Sequence, residues 1–63
     1  MEMEYIEFIR GGPIDGAIMN VPVTSRMFEK PTHTPGVYHL YTRCEAGAKF
    51  VYDGLYNKSF PAP

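Results

Sequence analysis

The side chains able to do chemistry in this sequence are few: His33, His39, Cys44 and the carboxylates of Glu2, Glu4, Glu7, Asp15 and Asp53. A metal centre needs three or four convergent ligands, yet the imidazole and thiol candidates show neither finger-like nor helix-face spacing. If the segment around them is a strand, His39 and Cys44 point to opposite faces. No metal and no other cofactor is expected. A cysteine nucleophile would need a histidine and Asp15 or Asp53 beside Cys44, and nothing in the spacing brings them there. Packing explains Cys44 as a small apolar side chain, and solvation explains His33. Asp15 and Asp53 each belong to a glycine-containing turn, and the three glutamates give a charged strand edge. Gly11-Gly12 lacks the lysine and the following helix of a phosphate loop. The chain is not expected to be an enzyme.

What must position these residues is small. A chain of 63 residues forms one domain, buries only about 60% of its unfolded surface and obtains roughly 3–5 kcal/mol from a single core. At 44% hydrophobic and 21% charged, with four Phe and five Tyr, it is too apolar to be a disordered tail. Six Gly and six Pro favour a turn-rich β domain. A lone cysteine cannot form an intramolecular disulfide, and the start MEMEYIEF is acidic where a targeting peptide is basic, so a cytoplasmic location is expected. No apolar run approaches the ~20 residues of a membrane span. Asn57-Lys58-Ser59 matches a glycosylation pattern but is read as surface loop.

Met3 to Arg10 is rich in β-branched and aromatic residues and is stopped by Gly11-Gly12-Pro13-Ile14-Asp15-Gly16. Pro13 suits position i+1 of a type I turn over Gly12 to Asp15, and Gly16 takes the positive φ of a bulged hairpin, which excludes a β-branched residue there. In the next strand Ala17, Met19, Val21 and Val23 share the inward parity, and Pro22 places the strand at an edge. Thr24 to Lys30 has the cap and composition for one short helical turn ended by Pro31, and residues 30–36 read as an exposed loop. Val37 to Cys44 alternates Tyr38, Leu40 and Thr42 against Val37, His39, Tyr41 and Arg43. Glu45-Ala46-Gly47 turns the chain into a strand over Ala48 to Asp53, and Asp53-Gly54 is a two-residue hairpin signal before Leu55-Tyr56. The expected fold is all-β: a small antiparallel sheet of four or five strands, curled or partly closed into a barrel, with residues 57–63 as an extended tail.

The run Gly11-Gly12-Pro13-Ile14-Asp15-Gly16 resembles a loose group of short bacteriophage and prophage proteins that open with a strand and then G-G-P-x-D-G. The likeness extends over residues 4–54 through Tyr38-His39-Leu40-Tyr41 and Phe50-Val51-Tyr52-Asp53-Gly54. It implies a phage or prophage origin and a similar fold. It brings no catalytic residues.

Protein binding is the function these ingredients favour, because Tyr, Met, Phe and Arg are the types enriched at interface cores. Met27, Phe28, Tyr41, Tyr56 and Phe60 are the candidate contacts, and the edge near Pro22 offers main-chain pairing to a partner or to a second copy of the chain. With the resemblance, the expectation is a non-catalytic module that modulates or inhibits a host or defence complex in the host cytoplasm. The alternative is an accessory component of the virion that clips onto capsid subunits. A third reading, single-strand nucleic-acid binding, rests on Tyr38, Tyr41, Phe50, Tyr52 and Tyr56 as a stacking surface. It is weakened by the net charge of -1.

Overall fold

A computed structural model describes residues 1–44 and 47–58. Its five strands are β1 (Met3–Ile9), β2 (Ile18–Pro22), β3 (Met27–Pro31), β4 (Val37–Arg43) and β5 (Lys49–Asn57). They lie in the order β2-β1-β5-β4-β3 in one mixed sheet that curls into a half-barrel. This is an up-and-down meander opened between β2 and β3. Neighbours run antiparallel except β1 and β5, which pair in parallel with Phe8 opposite Phe50. The parallel pair follows from parity, since in an odd-numbered meander the first and last strands run the same way when they meet.

The curl has a simple cause. A flat sheet of five strands holds its edges about 19 Å apart. Only residues 23–26 join edge strand β2 to edge strand β3, and they begin with a turn in which the Ser25 amide donates to the Pro22 carbonyl at 3.0 Å. Such a connection reaches no more than about 14 Å. The sheet therefore bends until its edges approach.

The concave face holds the core. Ile6, Phe8, Tyr41 and Phe50 are fully buried there, and Val21, Ile14, Ala17, Phe28 and Tyr52 pack around them. Phe8 is the hub, with ring centroids 5.1 Å from Phe28, 5.1 Å from Tyr41 and 5.4 Å from Phe50. Since Phe8 stands on β1 and Phe28 on β3, their contact spans the curl. Tilted aromatic pairs of this kind add about 0.5–1.5 kcal/mol each beyond area burial.

Arg43 closes the end of the half-barrel beneath the β2–β3 connection. Its Nε donates to the Ser25 carbonyl at 2.6 Å, Nη1 to Glu4 Oε2 at 2.7 Å and Nη2 to the Pro22 carbonyl at 3.3 Å. The guanidinium also sits 5.1 Å from the Phe50 ring centroid. With its side chain only 12% exposed, this cation ties β4 to β1 and to the connection at once.

Several local expectations hold. The Asp15 amide reaches the Gly12 carbonyl at 3.4 Å, the Asp15 carboxylate accepts from the Gly11 amide at 3.1 Å, and Gly16 has φ +86°. Pro22 lies on an edge strand. Others are corrected. Thr24 to Lys30 forms no helical turn, because Met27–Pro31 pairs with β4 as β3. Asp53-Gly54 makes no hairpin; β5 continues through it, with a bulge opposite Leu40 and Tyr41 that Gly54 accommodates at φ +99°. Met19 and Val23 share the inward parity of β2 yet remain 36% and 38% exposed, at the open edge. Asn57 ends β5, and the Lys58 amide donates to the Gly36 carbonyl at 2.6 Å, so the sheet takes in the first two residues assigned to the tail. Residues 45–46 of the expected turn and residues 59–63 of the tail lie outside the described residues.

Two predictions follow from the packing. Replacing Arg43 with Met removes charge-assisted hydrogen bonds worth about 1.5–3 kcal/mol each, which approaches the stability of the whole domain, so thermal denaturation followed by circular dichroism is expected to show little or no folded protein at 37 °C. Gly12→Ala is expected to cost more than Gly16→Ala: both positions have positive φ, but a Cβ at Gly12 would come 2.6 Å from the Tyr52 ring while one at Gly16 meets nothing within 4 Å. The midpoints of the two variants, compared by chemical denaturation, check that order.

Candidate functional site

Strand alternation gives the half-barrel two unlike faces. Tyr41 sets up the concave one. Its hydroxyl donates to the Gly11 carbonyl at 2.9 Å and accepts from the Ile14 amide at 3.2 Å. Those bonds fold the 10–16 turn inward so that Ile14 packs on the core. Arg10, Gly11 and Gly12 all have positive φ, at 73°, 99° and 82°, which turns the chain back over the sheet. Gly12 is required here for space as well as conformation, as the close approach of Tyr41 and Tyr52 shows.

Beyond this plug the concave face opens into a cleft of about 360 Å³ lined by Pro13, Lys30, Pro31, Thr32, His33 and His39. Lys30 and His39 are register partners across β3 and β4. His39 Nδ1 is hydrogen-bonded to the Tyr52 hydroxyl at 2.9 Å, and the two rings lie 5.9 Å apart. Thr32 is consumed by its own loop: its hydroxyl lies 2.8 Å from the Val37 carbonyl and accepts from the Thr34 amide at 3.0 Å. The segment expected as a long exposed loop is thus a short, internally bonded turn over 32–36. Among the described residues no carboxylate lines the cleft.

The convex face has no second layer among the described residues. Met3, Tyr5 and Ile18 lie together on it where β1 pairs with β2, exposed by 47%, 71% and 66%. Half-buried Ile9, Val51 and Leu40, with Tyr38, Tyr56 and Met27, form a second apolar area on this face, separated from the first by the row of Glu7 and Lys49. Two ion pairs lie on this face: Lys49 with Glu7 at 2.9 Å, between the two apolar areas, and Lys58 with Glu29 at 2.8 Å, towards β3. The hydrogen bond to Glu29 raises the Lys58 pKa above its ordinary value of 10.5, against an opposing contribution from desolvation. Because the folded value is the higher one, this pair contributes fully below pH 10.5 and is lost as pH rises through the raised value.

The free edges are short. Hydrogen bonds from the Phe8 amide to the Ala17 carbonyl and from the Val23 amide to the Glu2 carbonyl fix the alternation of the β1–β2 ladder. It leaves Ile18, Asn20 and Pro22 facing outward. Pro22 has no amide proton, and its carbonyl is taken by Ser25 and Arg43. On β3 the outward residues are Met27, Glu29 and Pro31, again ending in proline. Main-chain pairing at either edge is therefore confined to two residues that can both donate and accept.

The expected contact residues divide. Met27 and Tyr56 are exposed on the convex face, at 55% and 40%. Phe28 lies half-buried against Phe8. Tyr41 is corrected: it is fully buried, its ring is core and its hydroxyl holds the turn, so it is not a contact. Phe60 lies outside the described residues. Sequence reasoning missed Tyr5 and Ile18, although the odd parity of β1 and the even parity of β2 already set them on the face opposite Ile6, Phe8 and Val21. Gly11, Gly12, Pro13, Asp15 and Gly16 form the expected turn, whereas Asp53 and Gly54 form the bulge. Cys44 is half-buried with its amide donating to the Lys49 carbonyl at 2.8 Å, and Asp53 is exposed. Among the described residues no group of three or more His, Cys, Asp or Glu could hold a metal ion, and no helix is long and apolar enough to cross a membrane.

No family model matches the chain, and neither a curated protein nor a solved structure matches it. Its class is therefore set by architecture alone, as a five-stranded half-barrel with one covered and one open face.

Tyr41→Phe tests the plug. It leaves the Ile14 amide and the Gly11 carbonyl without their partner and is expected to cost about 1–3 kcal/mol. Amide exchange at Ile14 should accelerate well beyond that in the β4–β5 ladder. Equal acceleration across the sheet would mean that the hydroxyl does not hold the turn specifically.

Proposed function

We propose that this chain is a non-catalytic protein-binding module whose contact surface is the convex face centred on Tyr5 and Ile18. The observation that supports this reading most is that Met3, Tyr5 and Ile18 stand exposed on one face of the β1–β2 ladder, with Ile18 diagonal to Tyr5, in a domain that can ill spare apolar area from its core. Aromatic and aliphatic side chains held on paired strands lose little conformational freedom on binding, so they suit an interface centre. The proline-ended edges favour recognition by this face over strand addition. The likeness of the 11–16 turn to phage and prophage proteins supplies the proposed partner: a host or defence complex that the module modulates, with a capsid subunit as the alternative.

Nucleic-acid stacking has no comparable support. The five aromatics it needs do not share a surface, since Tyr41 and Phe50 are fully buried while Tyr38 and Tyr56 lie on the opposite face.

The test is affinity capture from nuclease-treated bacterial lysate with the wild-type chain and with a Tyr5→Glu/Ile18→Glu variant. Both substituted positions are exposed, so the variant should keep its thermal midpoint within a few degrees. A protein retained by the wild type and lost at least tenfold with the variant is the expected result. Equal retention by both chains would remove the convex face from the interface.

A further inference from the structure

The concave cleft is independent of the convex face, and its chemistry is of another kind. Lys30 stands half-buried at its wall. Arg43, Lys49 and Lys58 are each ion-paired to a glutamate, but among the described residues Lys30 belongs to none of those pairs and no carboxylate lines the cleft beside it. A partly desolvated cation without a counter-ion favours an anion. Opposite it in register is His39, whose ring is fixed by the Tyr52 hydroxyl on Nδ1. When that hydroxyl donates, the ring proton of the neutral imidazole resides on Nε2, making His39 a donor that needs no charge. His33 adds a second imidazole from the neighbouring turn, and the rings of Pro13 and Pro31 give the cleft apolar walls.

We propose that this cleft binds a small phosphate monoester, with Lys30, His39 and His33 on the phosphoryl oxygens and the organic body against Pro13 and Pro31. Three donors from separate side chains match an oxyanion with three terminal oxygens better than a carboxylate with two. The volume of about 360 Å³ is at the low end for small-molecule sites and exceeds what a bare phosphate ion fills. Thr32 orders the turn that carries His33 and is already engaged, so it is not among the ligands.

The experiment is a pair of NMR titrations of the isotope-labelled chain at pH 7, one with inorganic phosphate and one with adenosine monophosphate, each against sodium chloride at matched ionic strength. The expected result is saturable shifts at Lys30, His33 and His39 with both probes, and binding several-fold tighter for the nucleotide. Lys30→Met should weaken both at least fivefold while leaving the spectrum away from the cleft unchanged. His39→Phe, which removes the fixed donor, should weaken the nucleotide as well. Non-saturating shifts, shifts reproduced by sodium chloride, or unchanged affinity in Lys30→Met would overturn the proposal. Equal affinity for the two probes would overturn the part assigned to the proline walls.

Discussion

The structure depends on a short connection and on the cation that holds it. Strands β2 and β3 are neighbours in sequence but occupy opposite edges of the sheet. The residues between them are too few to cross a flat sheet, so the sheet must curl. Curling lets aromatic rings fill the concave side, and it leaves the carbonyls of Pro22 and Ser25 within reach of Arg43 at the end of the barrel. Arg43 takes up both and is neutralised by Glu4. One planar guanidinium thus satisfies the connection, links β4 to β1 and covers Phe50. Lysine could not do this, because it lacks the forked set of donors.

From that constraint the two faces acquire different roles. The concave face concentrates nearly all the burial the chain can manage around Phe8, and the inward-folded turn at 10–16 completes it as a lid that costs no additional strand. The convex face has no covering layer among the described residues. In a larger protein a helix would lie there. Here the same stiffness that a curled, aromatic-filled sheet provides preorganises that face, and the pairing of Glu7 with Lys49 neutralises the charge that stands beside Tyr5 and Ile18. Past the lid, the concave side retains a polar mouth where Lys30 and His39 face each other across β3 and β4.

The parts of this fold readable from sequence were those whose causes are local. The 11–16 turn declares itself because Pro13, Asp15 and Gly16 each have a backbone requirement that only such a turn meets, and Pro22 marks an edge because it cannot donate to a ladder. Parity placed Tyr41, Arg43 and His39 on one side of β4. What the sequence concealed is long-range. Thr24 to Lys30 has the composition of a capped helical turn, and Met27 to Lys30 joins a strand only because β4 offers it a ladder. Asp53-Gly54 has the same residues whether the chain reverses or bulges, and the choice is made by β4 running on beside it. The aromatics on both faces look alike in a list, so Tyr41 read as a contact although its hydroxyl is spent on a turn some thirty residues earlier. The candidate surface at Tyr5 and Ile18 was encoded in the alternation of β1 and β2. What makes it a surface is that no second layer of described residues lies over it.

The central claim, that Arg43 clamps the short crossover that curls the sheet, is tested most directly by NMR of the Arg43 side chain together with the aromatic core. The expected spectrum shows a slowly exchanging Arg43 Nε proton with contacts to Ser25, and cross-strand contacts between the rings of Phe8 and Phe28. A rapidly exchanging, motionally averaged Arg43 Nε–H alongside intact Phe8–Phe28 contacts would contradict it, since the short connection would then hold the curl with no clamp on it.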